Sequence, residues 1–192
     1  MSNPAQQVGS VRPFPLWAAV VPAVLLLLVS GFFAVGLTRD PHRLPSLMID
    51  RQMPEFALAP LSEGRQTLRN EDLVGHVSIV NVFGSWCIAC VAEHPQLIEI
   101  ARSGVVPIYG VDWRDEPGAG TAWLVRYGDP YTLTGVDADS RLAIDLGVTG
   151  APESFVIDTG GRIRYKHVGP ITSEIWADTL LPIVRNLEAE GS

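Results

Sequence analysis

Cysteine is almost missing from this sequence: its 192 residues hold two, Cys87 and Cys90. That is too few for the bridge framework that staples small secreted domains, or for a four-ligand structural zinc site built on two cysteine pairs. A disulfide between these two closes a tiny loop, and chain-entropy arguments give such loops less than the roughly 3 kcal/mol of a fifteen-residue one. Stapling is therefore a poor reason for the pair. Basic residues are also scarce, with 14 Lys plus Arg against 21 Asp plus Glu and a formal net charge of −7. Nucleic-acid binding needs a clustered basic surface, so DNA and RNA are excluded as partners. Internal repeats and low-complexity tracts are absent, and the length suits one packed domain rather than two.

Charge is missing altogether from Leu16 to Leu37, LWAAVVPAVLLLLVSGFFAVGL. About 20 apolar residues suffice for a helix to cross a hydrocarbon core of about 30 Å, so this segment is expected to be a transmembrane anchor. Leu25 to Leu28 stand at its centre, and Pro22 is tolerable near its start. Ala34-Val35-Gly36 can pass for a signal-peptidase site, but the apolar run exceeds the roughly 7–15 residues of a signal-peptide core, which favours an uncleaved anchor. Arg12 precedes the span and Arg39, Arg43 and Arg51 follow it, so flanking charge does not decide orientation. The expected organisation is a short tail at 1–15, the anchor at 16–37, a tether at 38–54 and a globular domain at 55–192. The acidity belongs to the part after residue 38, which carries 13 basic and 21 acidic residues, a formal −8.

Within the domain, Phe56 to Pro60 and Gln66 to Leu68 flank a turn at Ser62-Glu63-Gly64 and suggest a short hairpin. Val77 to Phe83 is β-branched and almost wholly apolar, the mark of a central strand buried on both faces. Cys87 to about Arg102 reads as a helix containing Pro95, and Val105 to Val111 as a second apolar strand, which completes a βαβ unit. Helices are expected at Ala119 to Tyr127 and Ser140 to Leu146, with a short strand near Tyr131 to Leu133. Ser154 to Asp158 and Arg162 to Val168 flank Thr159-Gly160-Gly161 as a hairpin. Trp176, Leu180, Ile183, Val184 and Leu187 recur at helical spacing between Thr172 and Glu190. A βαβ half followed by a hairpin and a closing helix is the thioredoxin arrangement: an α/β fold with a central mixed sheet flanked by helices.

Two cysteines two residues apart at a helix start supply an attacking thiolate and a resolving thiol. Cys87, at the N-terminus, is the expected nucleophile, because unpaired N–H groups and the positive end of the helix dipole favour an anion there. Cys90, a turn further in, is the expected resolver and the more buried of the two. Covalent haem attachment would need His immediately after Cys90, where Val91 stands. Glu93, three residues after Cys90, lies one turn along the same helix, where a partly buried carboxylate can exchange protons with a thiol; a solvated helix residue is the plain alternative. Trp86 is expected to shield the disulfide and touch the partner, or simply to fill the core. His94 reads as packing or surface, and Asp112 and Asp115 are given no role. No metal and no cofactor is expected.

Two stretches carry a resemblance to a known family. Phe83 to Pro95, FGSWCIACVAEHP, and Gly147 to Asp158, GVTGAPESFVID, look like the DsbE/CcmG proteins, membrane-anchored thioredoxin-like reductases of bacterial cytochrome c maturation. Arg162 to Gly169 fits the family's hairpin as well, and the resemblance covers nearly all of the domain from about Met53. It implies a domain on the periplasmic side of the inner (cytoplasmic) membrane that reduces disulfides or mixed disulfides of the haem-binding cysteines of apocytochrome c, recharged by a membrane thiol carrier. It further implies that Pro152 is a cis-proline facing the cysteines, that the backbone at Ala151 pairs with an incoming peptide, and that Glu93 is the family's acid near the site. Glu153, beside Pro152, is expected to offer a second acidic contact to substrate. The chain departs from many relatives in having Ile88-Ala89 between the cysteines where they carry Pro, which puts its redox poise in doubt.

Two other functions remain compatible with the residues. One is a general extracytoplasmic reductase or oxidase for other cysteine proteins. The other is a copper or other metal chaperone, or a peptide-binding module, that uses the fold without turnover, although Met1, Met48 and Met53 all stand well upstream of the cysteines.

Overall fold

The structure, a computed structural model, describes residues 16–37 and 48–191. The tail at 1–15 and residues 38–47 of the expected tether, with Arg12, Arg39 and Arg43, lie outside the described residues. Helix α1 (Leu16–Leu37) covers the apolar run, with Pro22 inside it. Leu25 to Leu28, Phe32 and Phe33 present exposed side chains. Among the described residues no helix is long and apolar enough to cross a membrane.

The globular unit is built on seven strands: β1 (Ala57–Pro60), β2 (Leu68–Arg69), β3 (Ser78–Phe83), β4 (Ile108–Trp113), β5 (Leu133–Asp137), β6 (Glu153–Ile157) and β7 (Ile163–Val168). They pair in the order β2-β1-β5-β4-β3-β6-β7. β3, β4 and β5 run parallel to one another, while β6 is antiparallel to β3 and β7 to β6. The sheet is mixed because helical crossovers join β3 to β4 and β4 to β5, whereas a tight hairpin joins β6 to β7. The helices are α2 (Ile88–Ser103), α3 (Ala119–Tyr127), α4 (Arg141–Asp145), then α5 (Ser173–Ile175), a π-helical turn (Trp176–Leu180) and α6 (Leu181–Glu190). The thioredoxin-like fold is as expected.

All six residues of β3 are buried, which its continuous apolar run required. Alternate side chains feed two cores. Ile79 and Phe83 join Leu97, Ile100, Trp123, Tyr131, Val184 and Leu187 on one face. Val80 and Val82 join Leu58, Val111, Leu142, Phe155 and Ile163 on the other. Phe83 stacks on Tyr131 and Trp123 at centroid separations of 5.0 and 5.4 Å, which anchors the segment before β5 and helix α3 to the end of β3 nearest the cysteines.

Three expectations need correction. Met48 to Pro54 is not a free tether: Asp50 N–H donates to Ile163 O, Met53 N–H donates to Gly161 O, and Met53 is buried. Its scattered apolar residues lacked a period because they cover the edge of β7 instead of forming an element. The second apolar strand begins at Ile108 rather than Val105, since Pro107 cannot donate to the ladder. The short strand lies at Leu133–Asp137, beyond Tyr131 to Leu133. There Gly135 breaks the apolar pattern because a side chain would strike Leu58 and Leu68.

Gly110, in β4, sits beneath aromatic rings, and a Cβ there would lie 2.9 Å from the Tyr131 ring and 3.1 Å from Phe83. Gly110→Ala is expected to destabilise the domain by about 1–3 kcal/mol through overpacking. A fall in the urea midpoint with an unchanged slope checks this, and an unaltered midpoint would refute it.

A candidate redox site at the start of helix α2

β3 ends at Phe83, and the chain turns through Gly84-Ser85-Trp86 into α2. Gly84 is needed in this turn because a Cβ there would come 2.5 Å from Trp86 Nε1. Cys87 is the N-cap of α2, in extended conformation, and its sulfur accepts the Cys90 N–H at 3.0 Å. A sulfur thus takes the place of the hydroxyl or carboxylate that usually caps a helix, and it receives one of the four free N–H groups of the first turn. Cys87 and Cys90 are joined as a disulfide.

Across from the disulfide, the peptide bond Ala151-Pro152 is cis. The carbonyl oxygen of Ala151 lies 3.3 Å from Cys87 Sγ. Residues 64 positions apart are brought together because β6 pairs with β3, Glu153 standing opposite Val82. Both cysteines are covered in this oxidised state, Cys87 at 4% exposure and Cys90 at 1%. The order of burial is as expected, but Cys87 is less open than a freely accessible nucleophile would be. The accessible surface belongs to its apolar neighbours: Ile88 is 88% exposed and Trp86 51%. Trp86 donates Nε1–H to Trp113 O at 3.2 Å and meets the Trp113 ring edge to face, so it is fixed beside the cysteines and not in the core.

Glu93 is buried, not solvated. Its Oε1 accepts Asn81 Nδ2 at 3.0 Å and its Oε2 accepts the Ile171 N–H at 2.9 Å. Burial pushes its carboxyl up to about 7, against the lowering effect of those two hydrogen bonds. Asn81 also donates to Ser154 Oγ at 3.0 Å and accepts the Tyr131 hydroxyl at 2.8 Å. A polar chain therefore runs from α2, one turn past Cys90, through β3 to β6. His94 faces away from it: Nε2–H donates to Gly128 O at 2.9 Å, the ring packs on Trp123, and burial pushes its pKa down. It is a packing residue, as expected.

The substrate contact expected of Glu153 is corrected by its burial. Oε1 accepts Thr149 N–H at 2.8 Å, Thr149 Oγ1–H at 2.6 Å and Gly150 N–H at 3.2 Å. Oε2 lies 2.8 Å from Lys166 Nζ, which also donates to Gly147 O at 2.6 Å. Glu153 thus shapes the loop that presents Ala151 and Pro152, and its charge is neutralised from β7. Sequence reasoning missed Asn81, Tyr131, Ser154 and Lys166. Asn81 had a visible signal, a lone amide inside an apolar central strand that must find partners. Lys166 had none. Among the described residues no group of three or more His, Cys, Asp or Glu is arranged to hold a metal.

Three kinds of comparison agree with this geometry. The Redoxin family model matches residues 49–181. The chain is 44% identical over 166 residues to the thiol:disulfide interchange protein DsbE of Allochromatium vinosum, covering 86% of this chain and 92% of that protein. It is 32% identical over 179 residues to DsbE of Escherichia coli, covering 90% and 96%. Among solved structures, a secreted Mycobacterium tuberculosis disulfide oxidoreductase homologous to E. coli DsbE superposes with a TM-score of 0.58 at 21% identity, covering 69% of this chain and 96% of that one. That last likeness bears on the fold alone.

The raised Glu93 pKa has a consequence for stability. Between the ordinary carboxyl value of 4.5 and about 7 the folded chain keeps a proton on Glu93 that the unfolded chain has lost. Stability therefore falls as pH rises through that window, by an amount on the order of 3 kcal/mol. Glu93→Gln is expected to flatten this slope in the oxidised protein, measured by urea unfolding at pH 4.5 and 7. An equal slope in both proteins would rule out Glu93 as its source.

Proposed function

The chain belongs to the DsbE family of thiol:disulfide interchange proteins and is a protein-disulfide oxidoreductase; from that premise we propose that it works as a reductant of apocytochrome c. The Cys87 thiolate attacks a disulfide or mixed disulfide at the haem-binding cysteines, forms a mixed disulfide with one sulfur and expels the other as a thiol. Cys90 then attacks Cys87 Sγ, which restores the Cys87–Cys90 disulfide and releases the second substrate thiol. Two electrons pass to the substrate, and a membrane dithiol carrier supplies two more that reduce the Cys87–Cys90 disulfide again, becoming a disulfide itself. Trp86 and the Ala151 backbone hold the incoming peptide, whose main chain pairs with the loop backbone that precedes β6. Glu93 takes up the Cys90 proton during resolution, a role that suits a buried carboxyl titrating near neutrality.

The observation that carries the reducing direction is the character of the buried groups one turn past Cys90 on α2. Glu93 is an acid hydrogen-bonded only to neutral donors, and the neighbouring His94 is held neutral by burial. A strong oxidant such as DsbA owes its potential to a stabilised reduced form; an acid in this position withholds that stabilisation from a thiolate. The anchor and the periplasmic location belong to the same reading. They are supported by the uncharged α1 sequence and by a chemistry suited to an oxidising compartment.

Cys90→Ala leaves Cys87 able to form the first mixed disulfide but not to resolve it. Trapping with this variant in membranes is expected to recover apocytochrome c through its haem-binding cysteines, read by mass spectrometry of the reducible adducts. A broad set of unrelated cysteine proteins would instead identify a general reductase.

A further inference from the structure

Two residues before Cys87 the chain is gripped by one carboxylate. Asp115, in the loop leaving β4, accepts the Ser85 backbone N–H at 2.6 Å through Oδ2 and the Ser85 hydroxyl at 2.7 Å through Oδ1. Its own loop is closed by Glu116 N–H donating to Oδ1 at 3.0 Å. Trp86 Nε1–H reaches the Trp113 carbonyl in the same loop. Ser85 and Trp86, the lead-in to the Cys87 cap, are thus tied to residues 113–115 at three atoms.

Behind Asp115 stands Asp112, buried at the end of β4, where a Cβ on Gly120 would meet its carboxyl. Asp112 Oδ1 has no hydrogen-bond partner; burial first, then the charge of Asp115 and a side-chain hydrogen bond with it, push this carboxyl up to about 8. Asp112 therefore stays neutral at pH 7, while both carboxyl oxygens of Asp115 are engaged by Ser85. Nothing in the exchange chemistry requires Asp115 to touch the sulfurs or the substrate.

We infer that Asp115 is a positioning residue for the attacking thiol: by fixing Ser85 it fixes the turn in which the Cys90 N–H points at the Cys87 sulfur. This rests on the reading of Cys87 as the nucleophile. The sign of one shift separates positioning from simple charge. If Asp115 acts only as a nearby anion, removing it relieves repulsion and lowers the Cys87 pKa. If it positions the turn, removing it loosens the N–H contact that favours the thiolate and raises the pKa. The other ionisable groups about the site are Glu93 on α2, Asp112 on β4 and the Glu153–Lys166 pair on β6 and β7; Asp115→Ala also eases ionisation of Asp112, whereas Ser85→Ala leaves every one of these acids in place and so controls for charge.

The test is the rate of iodoacetamide alkylation of the reduced full-length chain in detergent from pH 4 to 10, with the modified cysteine mapped by mass spectrometry. Asp115→Ala is expected to raise the Cys87 pKa by about one unit, a tenfold smaller thiolate fraction well below the pKa. Ser85→Ala keeps the charge and the backbone bond, and is expected to shift the pKa in the same direction by about threefold in thiolate fraction, the cost of one hydrogen bond. A fall or no change with Asp115→Ala overturns the proposal. So does a Ser85→Ala profile identical to wild type, which also serves if Asp115→Ala fails to fold. Faster labelling of Cys90 than of Cys87 in the wild type would instead overturn the assignment of the nucleophile.

Discussion

The carboxyl of Glu93 is the group the rest of this domain must accommodate. A buried acid without partners costs several kcal/mol, and here the partners come from elements far apart in sequence. Asn81 reaches it from β3 and Ile171 from the segment before α5, and Tyr131 and Ser154 in turn hydrogen-bond Asn81. Satisfying one carboxyl therefore fixes α2 against the middle of the sheet. With α2 fixed, its N-cap can only be Cys87, and the strand pairing of β6 with β3 brings Ala151 to the sulfur. The redox pair is placed by the same contacts that keep a buried acid tolerable.

Elements with strong local signals were legible in the sequence. β3 announced itself by its apolar run and α3 was bounded correctly at Ala119–Tyr127, as was the closing helix that starts at the Thr172 cap. The two cysteines and Pro152 were also legible, the first by spacing and the second by family resemblance. What could not be read were contacts whose partners are set by the sheet order. Glu153 and Lys166 are 13 residues apart and face each other only because β7 pairs antiparallel with β6. Glu93 could be placed one turn from Cys90, yet whether that face pointed inward depended on the partners just described. The residues from Met48 to Pro54 were misjudged for a similar reason: an irregular segment that covers a strand edge has no periodicity to betray it.

The disulfide lies between two loops, and each is held by an acid that does not itself face the sulfurs. Asp115 grips Ser85 on one side, and Glu153 grips Thr149 and Gly150 on the other. Loop backbone otherwise unsatisfied near a buried site would be costly, and a carboxylate that accepts two or three N–H and O–H groups answers several at once. The arrangement also leaves Ile88 and half of Trp86 as the surface nearest the cysteines. A partner then approaches over an apolar rim and meets rigid backbone behind it, so recognition need not reorder the loops.

Placing acids around a thiol pair has an electrostatic consequence that depends on which of them is charged. Glu153 is offset by Lys166, while Glu93 and Asp112 are pushed up to about 7 and about 8 by burial. Below neutrality those two add little field at the sulfurs, and the helix N-terminus with the Cys90 N–H dominates in favour of a Cys87 thiolate. As pH rises through 7 the anions appear in turn, the thiolate is stabilised less, and the reduced pair becomes the better electron donor. The opposed influences of helix dipole and buried acid allow a Cys-x-x-Cys site without an intervening Pro to be reactive as a nucleophile and still disfavour keeping its electrons.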